Sequence, residues 1–275
     1  MILFVSSRPK DAEMRLSIRS TWGATAKTCR IVVVFGFGAV DSDTLQDEIA
    51  KEGRVFGDIL QFQDIRDSYR NQTRIVLTFY EWARLNCNQT EYVAKADDDT
   101  WINLPLVLSS LESIKARSFI AGYWFPPGTS VMRTPEHAQW LSREERLDDY
   151  YPAYCSGILY VIPTRMVSAV LNTAATMQIH WIDDAFITGD PPEVPDAGDV
   201  ITKINKDSAR AKKEKKREAI VRYGLTGWLT LPYNQSATSL CRLLLKSTIM
   251  HRINSYTKQA LYNLSCLQEQ HSCRN

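Results

Sequence analysis

Through residue 123 the chain alternates short apolar runs with stretches whose apolar residues recur at helical spacing, and no other feature limits its fold as strongly. Met1–Ser6 is an apolar run. Met14, Ile18 and Trp22 then recur at spacing four, one face of a helix. Ile31–Phe35 is a β-branched run expected to end at Gly36 and Gly38. Leu45 and Ile49 mark a short helix, and residues 58–62 read as a third strand. Ile75, Phe79, Trp82 and Leu85 form a helical stripe. Residues 91–96 enter as a strand that runs into Asp97, Asp98 and Asp99. Asn103 can cap the next helix, with Pro105 in its first turn and Val107, Leu111 and Ile114 on its apolar face. Residues 118–123 are again strand-like. This order predicts an α/β fold with a mostly parallel sheet flanked by helices. Ligands of such sheets sit at the carboxyl ends of the strands, where the acidic triplet falls.

Beyond residue 123 the pattern loosens. Residues 124–152 are irregular, residues 155–162 strand-like, and Pro163 opens a helix carrying Met166, Val170 and, at its far end, Met177. A proline-rich stretch (189–198) and a basic run (203–222) follow. The run has Lys212, Lys213, Lys215, Lys216 and Arg217 at its heart, but no aromatic stands among its lysines and Glu214 and Glu218 dilute it. It reads as a solvated helix or loop rather than a nucleic-acid patch. Lys and Arg number 33 against 31 Asp and Glu, which excludes a global polyanion-binding surface. No apolar run approaches the ~20 residues of a membrane-spanning helix.

Six cysteines (Cys29, Cys87, Cys155, Cys241, Cys266, Cys273) form no Cys-x-x-Cys pair. They allow either disulfides of open connectivity or reduced thiols. Asn71, Asn88, Asn234 and Asn263 each head an Asn-x-Ser/Thr triplet and are expected glycosylation acceptors. Four such triplets beside six cysteines favour a secretory-pathway lumen over the cytosol. Residues 1–7 are too short for a signal peptide, so the sequence is expected to be a piece of a longer protein.

Three groups of residues can carry chemistry. Adjacent carboxylates at Asp97–Asp99 repel one another, and a hard divalent cation such as Mg²⁺ or Mn²⁺ would relieve them. In extended geometry Asp97 and Asp99 share a side while Asp98 faces elsewhere; the plain alternative is a solvated acidic turn. Asp183 and Asp184 follow Ile179, Trp181 and Ile182. A carboxylate in such company can have a raised pKa and act as a general base, and either can also cap a helix. Arg15 and Arg19, four apart on one helix face, could share an anion such as a diphosphate or pair with Asp11 and Glu13. The four histidines show no ligand spacing, and no nucleophile elbow or P-loop is present.

Five boxes in order resemble the β-1,3-galactosyltransferase family, the UDP-sugar transferases related to Fringe. They are Arg15 to Trp22 (RLSIRSTW), Glu52 to Asn71, Tyr92 to Asn103 (YVAKADDDTWIN), Tyr151 to Tyr160 (YPAYCSGILY) and Asp183 to Gly189 (DDAFITG). The resemblance covers residues 1–189 and implies a GT-A type catalytic domain there, with 190–275 a divergent region packed on or appended to it. It implies a Mn²⁺-dependent inverting transfer of a hexose, galactose first and GlcNAc or GalNAc as close variants, from a UDP-sugar to the 3-hydroxyl of an acceptor glycan on a glycoprotein or glycolipid. By position, Asp184 is the expected general base and Asp99 the metal ligand. Arg19, Asp67, Asp97 and Asp98 line the nucleotide-sugar side, and Tyr154, Gly157 and Asp183 lie near donor and acceptor. No nucleic-acid partner is implied. Family members work in the Golgi lumen on an N-terminal anchor, which the resemblance places outside this sequence. Three departures stand out: Asp183 replaces a Glu, Ile75 replaces a Lys with Arg74 beside it, and Gln139 precedes Trp140 in place of Lys. They motivate the alternative of a non-catalytic relative that keeps the fold as a binding or partner protein.

Overall fold

The structure is a computed structural model that describes residues 1–113, 120–137 and 139–189, with 249–250, 255, 258 and 259. The basic run, Asn234, Asn263 and nearly all of the region after residue 189 lie outside the described residues, as does Ile114.

The central sheet has six strands in the order β3-β2-β1-β4-β9-β6. Strands β1 (Ile2–Ser6), β2 (Val32–Ala39), β3 (Ile59–Arg66) and β4 (Tyr92–Asp97) pair in parallel. Helices α1 (Ala12–Arg19), α2 (Asp43–Phe56) and α3 (Gln72–Asn86) connect them. A short strand β5 (Trp101–Ile102) and helix α4 (Leu104–Ser113) lead to β6 (Ala121–Phe125). Residues 126–153 carry one small ladder of β7 (Thr129–Ser130) with β8 (Tyr150–Tyr151). The ten-residue β9 (Tyr154–Pro163) then inserts antiparallel between β4 and β6. Helices α5 (Thr164–Ala174) and α6 (Asp183–Thr188) follow, and β10 (Ile249–Met250) pairs antiparallel with β5. The mostly parallel α/β reading holds.

The chain moves outward from β1 to β3 on one side and returns to β4 on the other. A crevice therefore opens between the carboxyl ends of β1 and β4, where ligands of such sheets bind. Ser6 of β1 stands directly beside Asp97 of β4 in this register.

Several boundaries differ from the sequence expectation. Trp22 lies beyond α1, in a 3-10 turn over Trp22–Thr25, where its indole N–H donates to the Thr100 carbonyl at 3.0 Å. Helix α3 buries Ile75, Val76, Phe79, Tyr80 and Ala83, while Leu85 is 62% exposed. The stripe therefore drifts off the core at its carboxyl end, as a 3.6-residue period does over three turns. Asn103 caps α4 as expected, its Oδ1 accepting the Leu106 N–H at 3.1 Å.

Strand β2 does not stop at Gly36 but runs through Gly38 to Ala39. Both glycines are there because neighbours come too close for a side chain. A Cβ on Gly36 would sit 1.8 Å from the Phe4 ring, which stacks on Phe79 with centroids 4.4 Å apart. A Cβ on Gly38 would meet the Ile65 carbonyl at 2.3 Å and the Asp67 nitrogen at 2.6 Å.

Gly36→Ala is expected to lower stability by about 1–3 kcal/mol through overpacking. Phe4→Leu in the same chain should recover part of that loss in urea denaturation.

Candidate active site

Lys95 organises one end of the sheet. Its side chain is 2% exposed and lies under the crevice. The ammonium donates to Asp97 Oδ1 at 2.6 Å and to the Gly157 carbonyl at 3.1 Å, and it pairs with Asp183 Oδ2 at 3.1 Å. Lys95 and Asp97 are two apart on β4 and so share a face of the sheet. Burial works against the ammonium's charge, but Asp183, Asp97 and Asp184 more than offset it, so Lys95 stays protonated.

Asp184 meets the same glycine, Gly157, at its N–H. Its Oδ2 accepts the Gly157 N–H at 2.8 Å, and its Oδ1 accepts the Ala185 N–H at 2.7 Å. Gly157 is thus held between a lysine on its carbonyl and an aspartate on its N–H. A Cβ there would lie 3.0 Å from Lys95 Nζ and 3.4 Å from Asp184 Oδ2, which is why the box carries glycine. Burial, and then the neighbouring Asp183, push the Asp184 carboxyl up to about 7. Neither Asp183 nor Asp184 is the N-cap of α6. That position belongs to Ile182, and both carboxylates stand in the first helical turn. Tyr154 lies beside them with its ring stacked on Phe125 at 5.0 Å. Burial and the Asp184 charge raise its phenol.

Asp98 and Asp99 occupy the turn between β4 and β5. Asp98 Oδ2 accepts the Ser7 hydroxyl at 2.8 Å, and Thr100 Oγ1 closes the turn on the Asp97 carbonyl at 2.6 Å. Burial pushes Asp98 up to about 6, against the pull of the Ser7 hydroxyl. Asp97, Asp98 and Asp99 are each half-buried, so the triplet is neither a solvated turn nor a closed cage. The described residues hold no cluster of three or more His, Cys, Asp or Glu able to bind a metal by themselves. The donor set is a pair of hard carboxylates in an open crevice. It fits a hard divalent cation that takes its remaining ligands from a bound phosphate and water.

A cavity of about 260 Å³ lies at the carboxyl ends of β1, β2 and β3, lined by Arg8, Pro9, Ala39, Asp41 and Asp67 among others. Asp67 Oδ1 accepts the Gly38 N–H at 3.0 Å, and burial raises its carboxyl against that bond.

Arg15 and Arg19 have partners that their spacing did not suggest. Arg15 is fully buried and forks onto Glu52 at 2.8 and 2.6 Å, while its other donors reach the Arg8 and Pro9 carbonyls and Ser7 Oγ. Arg19 reaches Glu52 at 2.7 Å and forks onto Asp58 at 2.8 and 2.7 Å. Glu52, 37 residues from Arg15, relieves the i,i+4 repulsion, so neither a bound anion nor Asp11 or Glu13 is needed for that. In this structure Arg19 anchors α1 to α2, with both edges of its guanidinium spent on carboxylates, and Arg15 orients Ser7 and through it Asp98.

Sequence reading passed over one wall of the site. The Arg70 guanidinium lies 4.7 Å from the Trp140 ring and 5.1 Å from the Trp181 ring, and pairs with Glu145. Tyr69 meets Trp181 edge-on at 4.9 Å. The signal was present as isolated aromatics near two of the boxes, but their convergence needed the fold. Ile75, where the resembling family has Lys, is a core residue at 1% exposure, and Arg74 is exposed. The two point to different sides of α3, so Arg74 does not take that position. Of the two described sequons, Asn88 is exposed after α3, while Asn71 is half-buried and donates to the Arg66 carbonyl at 2.9 Å. Cys29 is disulfide-bonded, and Cys87 and Cys155 are free.

Lys95→Met is expected to cost about 3–5 kcal/mol, because it leaves Asp97 and Asp183 uncompensated. Adding Asp183→Asn should recover part of that loss in chemical denaturation; a double variant no better than the single one would remove Lys95 from its central place.

The family model described as Galactosyltransferase matches residues 13–191. The β-1,3-galactosyltransferase 5 of Gorilla gorilla gorilla is 30% identical over 194 residues, covering 68% of this chain and 63% of that protein. The human lactosylceramide 1,3-N-acetyl-beta-D-glucosaminyltransferase is 30% identical over 199 residues, covering 68% of this chain and 52% of that protein. The chain therefore spans less than two thirds of these relatives. A solved structure, galactosyltransferase LgtC with donor and acceptor sugar analogs, aligns over 98% of this chain and 95% of that one at 10% identity and a TM-score of 0.39, too low for any argument. The acidic turn, the Lys95 cluster and the Gly157 box all lie inside the matched span, and the chain belongs to the Galactosyltransferase family.

Proposed function

We propose that this protein transfers a hexose, galactose first, from a UDP-sugar to the 3-hydroxyl of an acceptor glycan, forming a β-1,3 linkage with inversion. The observation that carries the reading is Asp184, a half-buried carboxylate at the crevice whose pKa is raised to about 7. A base poised near operating pH takes a proton most effectively.

The residues divide the work. Asp184 accepts the proton of the acceptor hydroxyl as that oxygen attacks the anomeric carbon, and the bond to UDP breaks in the same displacement. The N–H groups of Gly157 and Ala185 hold the carboxylate in place. Lys95 offsets part of the charge of Asp97 and Asp183, and the remaining negative charge of Asp183 helps keep the base raised. The cavity beside Asp67 takes the nucleoside, with Asp97 and Asp98 on the ribose and sugar side. Asp99 would hold Mn²⁺, which supplies positive charge opposite the diphosphate when bound. The Tyr69, Trp140 and Trp181 wall suits the apolar face of an acceptor sugar. Glycoprotein and glycolipid acceptors both remain within the reading. The Cys29 disulfide and exposed Asn88 support a secretory-pathway setting, the Golgi lumen in the family.

UDP titrated into the purified chain is expected to bind with Mn²⁺ and weakly or not at all in EDTA. A folded chain that ignores UDP in both would favour a non-catalytic relative. Asp184→Asn should lower kcat by about 10²–10⁴-fold while leaving UDP affinity near wild type. Because the folded carboxyl titrates near 7, wild-type kcat/KM should rise with pH through about 7 and then level off. Stability carries the opposite sign. Between the ordinary 3.8 and about 7 the folded state binds more protons than the unfolded one, so ionising Asp184 costs stability as pH rises. The wild-type melting temperature should therefore fall as pH rises from about 4 to 7, and Asp184→Asn should lose that component of the slope.

A further inference from the structure

The family match ends at residue 191, yet Lys258, far beyond it, reaches the acidic turn, with Ser255 and Gln259 beside it against α1. Ser255 Oγ donates to Glu13, and Ser20 Oγ donates to Gln259 Oε1 at 3.4 Å, so these two residues lie beside α1. Between them Lys258 is fully buried, its ammonium 2.7 Å from the Asp98 carbonyl and 3.9 Å from Met14 Sδ. Nearby, Met250 of β10 pairs with Trp101, two residues after Asp99.

A buried ammonium is costly unless charge and hydrogen bonds meet it. Here burial lowers the ammonium's pKa, Asp98 and Asp99 offset part of that cost, and the Asp98 carbonyl accepts its hydrogen bond. Asp98 is consequently held at both ends: Lys258 takes its main chain, and Ser7 takes its side chain at 2.8 Å. Three adjacent carboxylates repel one another, and a turn carrying them keeps one shape only if something outside it fixes the backbone.

We propose that Lys258 is a positioning residue for the donor side of the site. It clamps the Asp98 carbonyl and thereby aims Asp98 and Asp99, making a residue outside the family match part of the nucleotide-diphosphate site. The inference rests on the reading of this crevice as a UDP-sugar site and adds the residue that shapes it.

The test is calorimetric titration of UDP into the full chain, with Mn²⁺ and in EDTA, for wild type, Lys258→Met, Lys258→Arg, Ser7→Ala and the Ser7/Lys258 double variant. Met keeps the apolar stem and removes the charge. Lys258→Met is expected to weaken Mn²⁺-supported UDP binding by about tenfold or more, the scale of a lost charge-assisted hydrogen bond. The KM for acceptor should stay near wild type, and Lys258→Arg should restore most of the UDP affinity. Ser7→Ala and Lys258→Met should be non-additive, since both act through Asp98. Unchanged UDP affinity in a folded Lys258→Met chain, with only a lower melting temperature, would make Lys258 a structural staple and overturn the proposal. Strict additivity with Ser7→Ala would also overturn it. Absence of UDP binding in wild type would bring down the donor-site reading and this inference with it.

Discussion

One buried ammonium makes this site possible. Asp97, Asp98, Asp99, Asp183 and Asp184 converge at the carboxyl ends of β4 and the first turn of α6, where their mutual repulsion opposes folding. Lys95, inside the sheet, touches Asp97 and Asp183 and pins the Gly157 carbonyl. Through that carbonyl it also holds the residue whose N–H binds Asp184. β9 must bring Gly157 to this point, so its antiparallel insertion between β4 and β6 serves the site as well as the sheet. The compensation is incomplete: Asp184 stays raised because it is buried and Asp183 lies beside it. A carboxylate left short of charge balance is the condition under which it can take a proton near neutral pH.

A second network reaches the acidic turn from the opposite side. Glu52 orders Arg15 and Arg19 together, Arg15 orders Ser7, and Ser7 donates to Asp98. Helices α1 and α2, remote from the reacting atoms, are in this way tied to the orientation of one carboxylate. The Trp22 indole adds a further tie on the Thr100 carbonyl. The crevice is consequently a set of rigid strand ends with side chains locked from behind, the arrangement that preorganised catalysis requires.

Much of this was legible in the residues. The alternation of apolar runs and helical stripes predicted the α/β sheet, and the position of Asp97–Asp99 after a buried strand placed the crevice. Asn103 as a cap was readable because a cap is a local hydrogen bond. The exceptions have physical causes. Gly36 and Gly38 looked like a strand's end, but they are gaps for Phe4 and for the Asp67 backbone. Asp183 and Asp184 looked like caps, but Lys95 and Gly157 draw them into the first turn of α6. Arg70 between Trp140 and Trp181 left no periodic trace, since its partners come from two loops far from it in the chain.

What the amino-acid sequence determined by itself is therefore the order of elements, the burial of the strands and which carboxylates stand at the strand ends, because period and capping act between near neighbours. What only the tertiary structure decided is which cation meets which carboxylate. Arg15 finds Glu52 across 37 residues, Lys95 finds Gly157 across 62, and Lys258 finds Asp98 across 160. Spacing along the chain carries no information about such pairs. They exist because burial makes an unmatched charge too costly, and each buried cation settles on the carboxylate or carbonyl that the packing brings within reach.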